Sequence, residues 1–256
     1  MFTSEKLERR SRRGFGAGIL LAAIIAGTQH TSFAETPNAP VFDSPDQAIE
    51  ALCSAVKKDD GALILQLIGP LASSGDIVKD RADRELFIRK SSEMHRLVKE
   101  PDGTVVLYIG AENWPFPVPL ILDHGKWHFD QQAGAQEITF RRVGENEMAA
   151  IETCRAIAHP DHVTENTAIN DYARDVVRTA ASPSESFHGY YFRTVRAPYT
   201  TVIVAYPGEY AVTGVMTFAV TLNGAVYEKD LGPKTSQVAQ AMMRFKPDRT
   251  WHVAQR

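Results

Sequence analysis

Two cysteines in 256 residues are too few for a disulfide-built scaffold, and Cys53 and Cys154 stand far apart. Each falls at an apolar phase of a predicted helix, where a buried free thiol is common and inert, so one bridge is permitted and none is required. The chain has no phosphate-binding glycine loop, no dinucleotide glycine fingerprint, no Gly-x-Ser-x-Gly elbow and no His-Glu-x-x-His. Its eight histidines do not supply a metal pattern. His124 with His128, His159 with His162, and the lone His30, His95, His188 and His252 lack recognised ligand spacing, and no cofactor is expected. There is also no uninterrupted apolar run of the roughly 20 residues that a membrane-spanning helix needs.

What is present is concentrated first at the N-terminus. Lys6, Arg9, Arg10, Arg12 and Arg13 precede an uncharged stretch from Gly14 to Gly27, broken by glycines, and Ser32-Phe33-Ala34 offers a small-x-small cleavage site. Arg12, Arg13 and Phe15 give this segment the form of a twin-arginine export signal, with an ordinary arginine-rich secretory signal as the alternative. Cleavage after Ala34 then leaves no stable membrane span and a periplasmic protein. It removes five basic and two acidic side chains, taking the formal net charge from -3 to -6. An acidic chain without a basic stripe repels phosphate, which excludes nucleic acid as a partner.

Residues 35–42 read as a flexible Pro-containing leader. Ser44-Pro45 then opens a capped amphipathic helix with Ala48, Ile49, Leu52, Cys53 and Val56 in phase, and a second helix runs from Ala62 to Ile68 before Gly69-Pro70. A charged helix is expected from Asp80 to Val98, carrying Leu86, Phe87, Met94 and Leu97 on one side. Alternation at Val105, Leu107 and Ile109, the proline-stiffened segment Trp114 to Leu122, and Trp127 to Asp130 predict an antiparallel sheet. These elements form an α+β unit over 43–135. A long helix from Glu137 to Ala158, a shorter one from Thr167 to Thr179, and strands across 188–229 with an Asn223-Gly224 hairpin form a second unit over 136–256.

The element order of the first unit, with Gly125 to Phe129 as a late core strand, resembles the NTF2-like (cystatin-like) cone, in which helices pack into a curved antiparallel sheet. In the second, Gly144 to Ile151, Gly189-Tyr190-Tyr191-Phe192 and Thr213 to Phe218 resemble the soluble head of type IV pilin-like proteins, a long helix packed on an antiparallel β-meander. Filament assembly does not carry over, because the pilin's hydrophobic N-terminal helix is replaced here. Across nearly the whole mature chain, the sequence resembles an exported bacterial family known only as a domain of unknown function, number 2950. The matching residues are Ser74-Gly75-Asp76, Asp80 to Arg84, Trp114 to Pro117, Trp127 to Asp130, Arg142 to Arg155, Gly189 to Arg193 and Tyr227 to Gly232. That resemblance implies no activity, catalytic residue or cofactor. The chain is shorter than the family leads one to expect between Ala173 and His188 and between Val195 and Tyr206, so functions housed in those loops do not carry over.

Two clusters carry candidate chemistry. Asp80, Arg81 and Arg84 sit in the densest run of charge; they form either a solvated helix face or a carboxylate-guanidinium site, with Asp80, His95 and Glu112 as weak acid-base candidates. Trp114 and Phe116, held rigid by Pro115, Pro117 and Pro119, are either a stiff connector plugging the core or a wall for a ligand. The reading is a non-catalytic binding or envelope-assembly protein whose partner is an envelope protein or a small ligand. The alternatives are a small-substrate enzyme in the cone and an accessory to pilus-like machinery. Replacing Arg12 and Arg13 together by lysine is expected to leave an unprocessed precursor in the cytoplasm, whereas the parent yields a periplasmic chain beginning at Glu35, as cell fractionation and N-terminal sequencing will show.

Overall fold

The computed structural model describes residues 39–70, 77–160, 164–179, 185–198, 200–221 and 224–254, with the backbone alone for 77–80 and 179. The export segment, with Arg12, Arg13, Phe15 and Ala34, and the Asn223 hairpin position therefore lie outside the described residues. Helix α1 (Pro45–Lys57) begins where Ser44 Oγ accepts from the Gln47 amide at 3.3 Å, and α2 (Gly61–Ile68) where Asp60 accepts from the Leu63 amide at 3.0 Å. Gly69, at φ +84°, ends α2 in a conformation that a side chain would strain.

Helix α3 spans Ile77–Glu93 and gives way at once to β1 (His95–Lys99). The expected helix to Val98 is thus shorter. The amide of Gly110, at φ +73°, bonds the carbonyls of Lys90 and Met94 at the helix end, and Leu97 and Val98 pair with Leu107 and Val106 of β2 (Val105–Ile109). A five-residue stretch with two adjacent apolar residues fits both periods, and sheet pairing decides between them. After β3 (Trp114–Pro115), β4 (Leu120–Asp123) and β5 (Lys126–Phe129) complete an antiparallel sheet in the order β1-β2-β4-β5, with β3 also on β2. Phe42 exchanges both backbone bonds with Trp127, each at 2.8 Å. One face of the sheet buries Val105, Leu107, Ile109 and Phe129 against Leu52 of α1 and Leu67 of α2.

Helix α4 (Gln131–Ala158) starts six residues before the expected Glu137. Asp130 caps it by accepting from the Ala133 amide at 2.9 Å, and the Gln131 amide group donates to the Gln66 carbonyl at 2.7 Å. The interior Gly134, which weakens the sequence signal for helix, is there because Val118 needs the space: a Cβ at 134 would lie 2.7 Å from Val118 Cγ2.

Further along, α4 packs on α5 (Thr167–Thr179) and on a second sheet in which β6 (Tyr190–Arg196), β7 (Thr201–Pro207), β8 (Met216–Val220), β9 (Val226–Asp230) and β10 (His252–Val253) follow one another antiparallel. Cys154, Ile157, Ile169, Tyr190, Phe192 and Phe218 form the core on that side. On the other face Val195, Val202, Val204, Ala219 and Phe245 make a second apolar layer, and α6 (Thr235–Ala241) packs on β7. Both faces being covered, β7 reads as a continuous buried run. Glu147 of α4 accepts from the amides of Val215 and Met216 at 2.8 and 3.0 Å, and the Tyr190 hydroxyl donates to the Met216 carbonyl at 2.9 Å. Cys53 and Cys154 are free thiols; burial pushes Cys154 up to about 12. The fold class is α+β, and among the described residues no helix is long and apolar enough to cross a membrane.

Gly134→Ala is expected to lower stability. Helix propensity gains about 1 kcal/mol, but overpacking against Val118 costs about 1–3 kcal/mol. Adding Val118→Ala should remove the overpacking part, so the two changes will be non-additive in a denaturation cycle.

Candidate functional site

Between α1, α2, α3, the β2–β3 region and the N-terminal half of α4 lies a cavity of about 640 Å³. Its size falls in the range usual for small-molecule sites. The floor is aliphatic: Leu52 and Val56 from α1, Ile64 and Ile68 from α2, Ile109 from β2 and Ile138 from α4. The amphipathic phases of the helices, and alternation along β2 for Ile109, direct these residues inward, and their apolar atoms bind by surface removed from water.

Trp114 and Phe116 form one wall. Phe116 meets Phe87 of α3 edge-on with ring centroids 5.6 Å apart, so it is braced from the core side. Trp114 remains 42% exposed, with the Arg141 guanidinium 4.8 Å from its ring centroid. Arg141 is itself fixed, its Nη1 donating to the Pro115 carbonyl at 2.9 Å and its Nε to Glu137 at 2.7 Å. The prolines explain the path of this wall. Pro115, Pro117 and Pro119 have no amide to give, so β3 pairs over two residues, and beyond it Phe116 donates to the Leu107 carbonyl at 2.7 Å.

The mouth is charged. Lys90 of α3 donates to Glu112 Oε2 at 2.8 Å. Glu112 is presented by the turn from Gly110 to Asn113, in which Asn113 takes φ 54° and accepts from Arg96 Nε at 2.9 Å. Gly110 takes φ +73°, which a side chain would strain, and a Cβ there would sit 2.8 Å from Glu112 Oε2, so a substitution would also push the carboxylate aside. The hydrogen bond from Lys90, aided by its charge, holds the Glu112 carboxyl below the usual carboxylate range. Arg84 Nε lies 2.9 Å from Asp59 Oδ1 without hydrogen-bond alignment, an ion contact rather than a directed bond.

The other sequence candidates are placed as follows. Arg84, Glu112, Trp114 and Phe116 come together at the cavity. Arg81 is exposed and does not line it. Asp80 belongs to α3, and its side chain lies outside the described residues. His95 stands outside the cavity because α3 stops at Glu93; its Nδ1 is 2.9 Å from the Ser91 carbonyl oxygen. Sequence reasoning missed Lys90, Ile138, Arg141, Arg142 and Glu145, all of which line the site. The last four follow the i, i+3, i+4, i+7 pattern of one helix face, a signal obscured because two of them are arginines next to each other. Among the described residues no group of three His, Cys, Asp or Glu side chains could hold a metal ion.

A family model described as a protein of unknown function (DUF2950) matches residues 39–177 and 199–254, more than half of the chain. No curated protein and no solved structure matches it.

The Lys90–Glu112 pair has a definite pH signature. Because the folded carboxyl titrates below its unfolded value, its stabilisation is present above the unfolded pKa of about 4.3 and is lost as pH falls through the lower folded value. Glu112→Gln is therefore expected to melt below the parent at pH 6, with the gap closing as pH falls below the unfolded value, as thermal scans on both sides of it will show.

Proposed function

Given that the chain belongs to the family described only as a protein of unknown function (DUF2950), we propose that it is a non-catalytic binding protein, exported to the periplasm, which takes a small apolar-bodied ligand into the cavity beside Trp114. In this reading α1, α2, α3 and the first sheet are an NTF2-like cone, and α4 with the second sheet is a pilin-head-like unit that contributes the helix closing one side of the cone. The observation that carries the proposal is the pairing of a large aliphatic floor with a braced aromatic wall, a combination suited to holding a ligand with little reordering. Ionic arrangement favours binding over acid-base chemistry. Glu112, the one sequence candidate for proton transfer among the described side chains at the cavity, is kept ionised by Lys90 rather than poised near neutrality.

The test uses the purified mature chain and an environment-sensitive apolar naphthylamine dye. The dye is expected to brighten in the parent protein. Ile138→Trp, which fills the cavity from α4, should weaken dye binding at least fivefold while circular dichroism stays native, and Trp114→Ala should weaken it less. Equal dye affinity in the parent and in a natively folded Ile138→Trp protein would overturn the proposal.

A further inference from the structure

Charge at the mouth of the cavity is of both signs and largely spent. Lys90 is held by Glu112, Arg141 by Glu137 and the Pro115 carbonyl, and Arg84 by its contact with Asp59. The lining then adds Arg142, Asp83 and Glu145. Arg142 and Glu145 are one turn apart on α4, within reach of each other's field, and all three are exposed. Counting the two carboxylates that grip Arg84 and Arg141 from behind, four cations face five anions. An incoming carboxylate or phosphate finds Arg84, Lys90 and Arg141 already engaged, and reaches Arg142 only within the field of Glu145 one turn away. An incoming ammonium finds Glu112 already engaged, and reaches Asp83 or Glu145 only beside the cations next to them, Arg84 in sequence and Arg142 one turn away.

A net charge entering beside this aliphatic floor loses hydration, and a field of nearly balanced charges returns little of that loss. A hydroxyl, amide or sugar head is better matched. It donates to Asp83 or Glu145 and accepts from Arg142 in the same pose, while its apolar body takes the place between Ile64, Ile138 and Phe116. We propose that the cavity selects uncharged amphiphiles, molecules with one apolar body and a neutral head that both donates and accepts hydrogen bonds, and discriminates against fatty anions and cations of the same length. This inference rests on the cavity being a binding site, as proposed above, and adds the chemical class of its ligand.

The probes are three eight-carbon compounds with different heads: octanamide, octanoate and octylammonium, each below its aggregation threshold and each competing with the bound naphthylamine dye. Octanamide is expected to displace the dye at concentrations at least tenfold lower than either ion. Asp83→Asn combined with Glu145→Gln removes two anions from exposed positions, where folding is little affected, and is expected to shift the ratio at least fivefold toward octanoate. Octanoate or octylammonium matching octanamide in the parent, or a ratio that does not move in the double variant, would overturn the proposed selectivity while leaving the binding site standing. Failure of the dye itself to enter the parent would remove the binding site and the selectivity together.

Discussion

The close approach of α4 to Val118 is the constraint on which the rest of the fold turns. One helix must begin against the first sheet and continue along the second, and it can do so only if its first turns come close enough to the proline-stiffened segment. Gly134 supplies that proximity, the Asp130 cap fixes where the helix starts, and Gln131 ties the same turn to the end of α2. Everything downstream on the helix is placed by these contacts. Ile138, Arg141, Arg142 and Glu145 follow at the spacing that turns them toward the cavity, and Asn146 and Glu147 reach the segment entering β8. A shift of α4 by one residue would rotate it by about 100° and remove both sets of contacts together.

The same helix settles the character of the site. Its cavity-facing residues pass from an aliphatic side chain at Ile138 to charged ones at Arg141, Arg142 and Glu145, so the floor and the mouth are graded along one element. Opposite it, α3 contributes Phe87 to the wall and Arg84 and Lys90 to the rim. Arg84, Lys90 and Arg141 are each matched by a carboxylate more exposed than the cation, which limits the worth of any single pair but makes the mouth as a whole close to neutral.

Much of the fold was legible because it rests on local chemistry. Ser44-Pro45 announces α1, Gly69 ends α2, and alternation at Val105, Leu107 and Ile109 marks β2. The misreadings have physical causes. Residues 95–99 carry a pattern that both periods tolerate, and only their pairing with β2 makes them a strand; that error placed His95 on the helix that carries Asp80. Gly134 hid the true start of α4, since a glycine lowers helix propensity unless a neighbour requires its absent side chain. The wall at Trp114 and Phe116 was visible from its prolines. Its braces, Phe87 and Arg141, were not, because they come from elements distant in sequence.

Tyr190 has a consequence of another kind. Its ring is wholly buried, its hydroxyl donates to the Met216 carbonyl, and a Cβ on Gly214 would collide with it; burial, with Glu147 and Cys154 close by, drives its ionisation far above that of an ordinary phenol. The protein has eight tyrosines, and in strong alkali those reached by water form phenolate first. Tyr190 cannot do so while β6 and β8 remain in place. The last increment of phenolate absorbance thus serves as an internal gauge of when the second sheet comes apart.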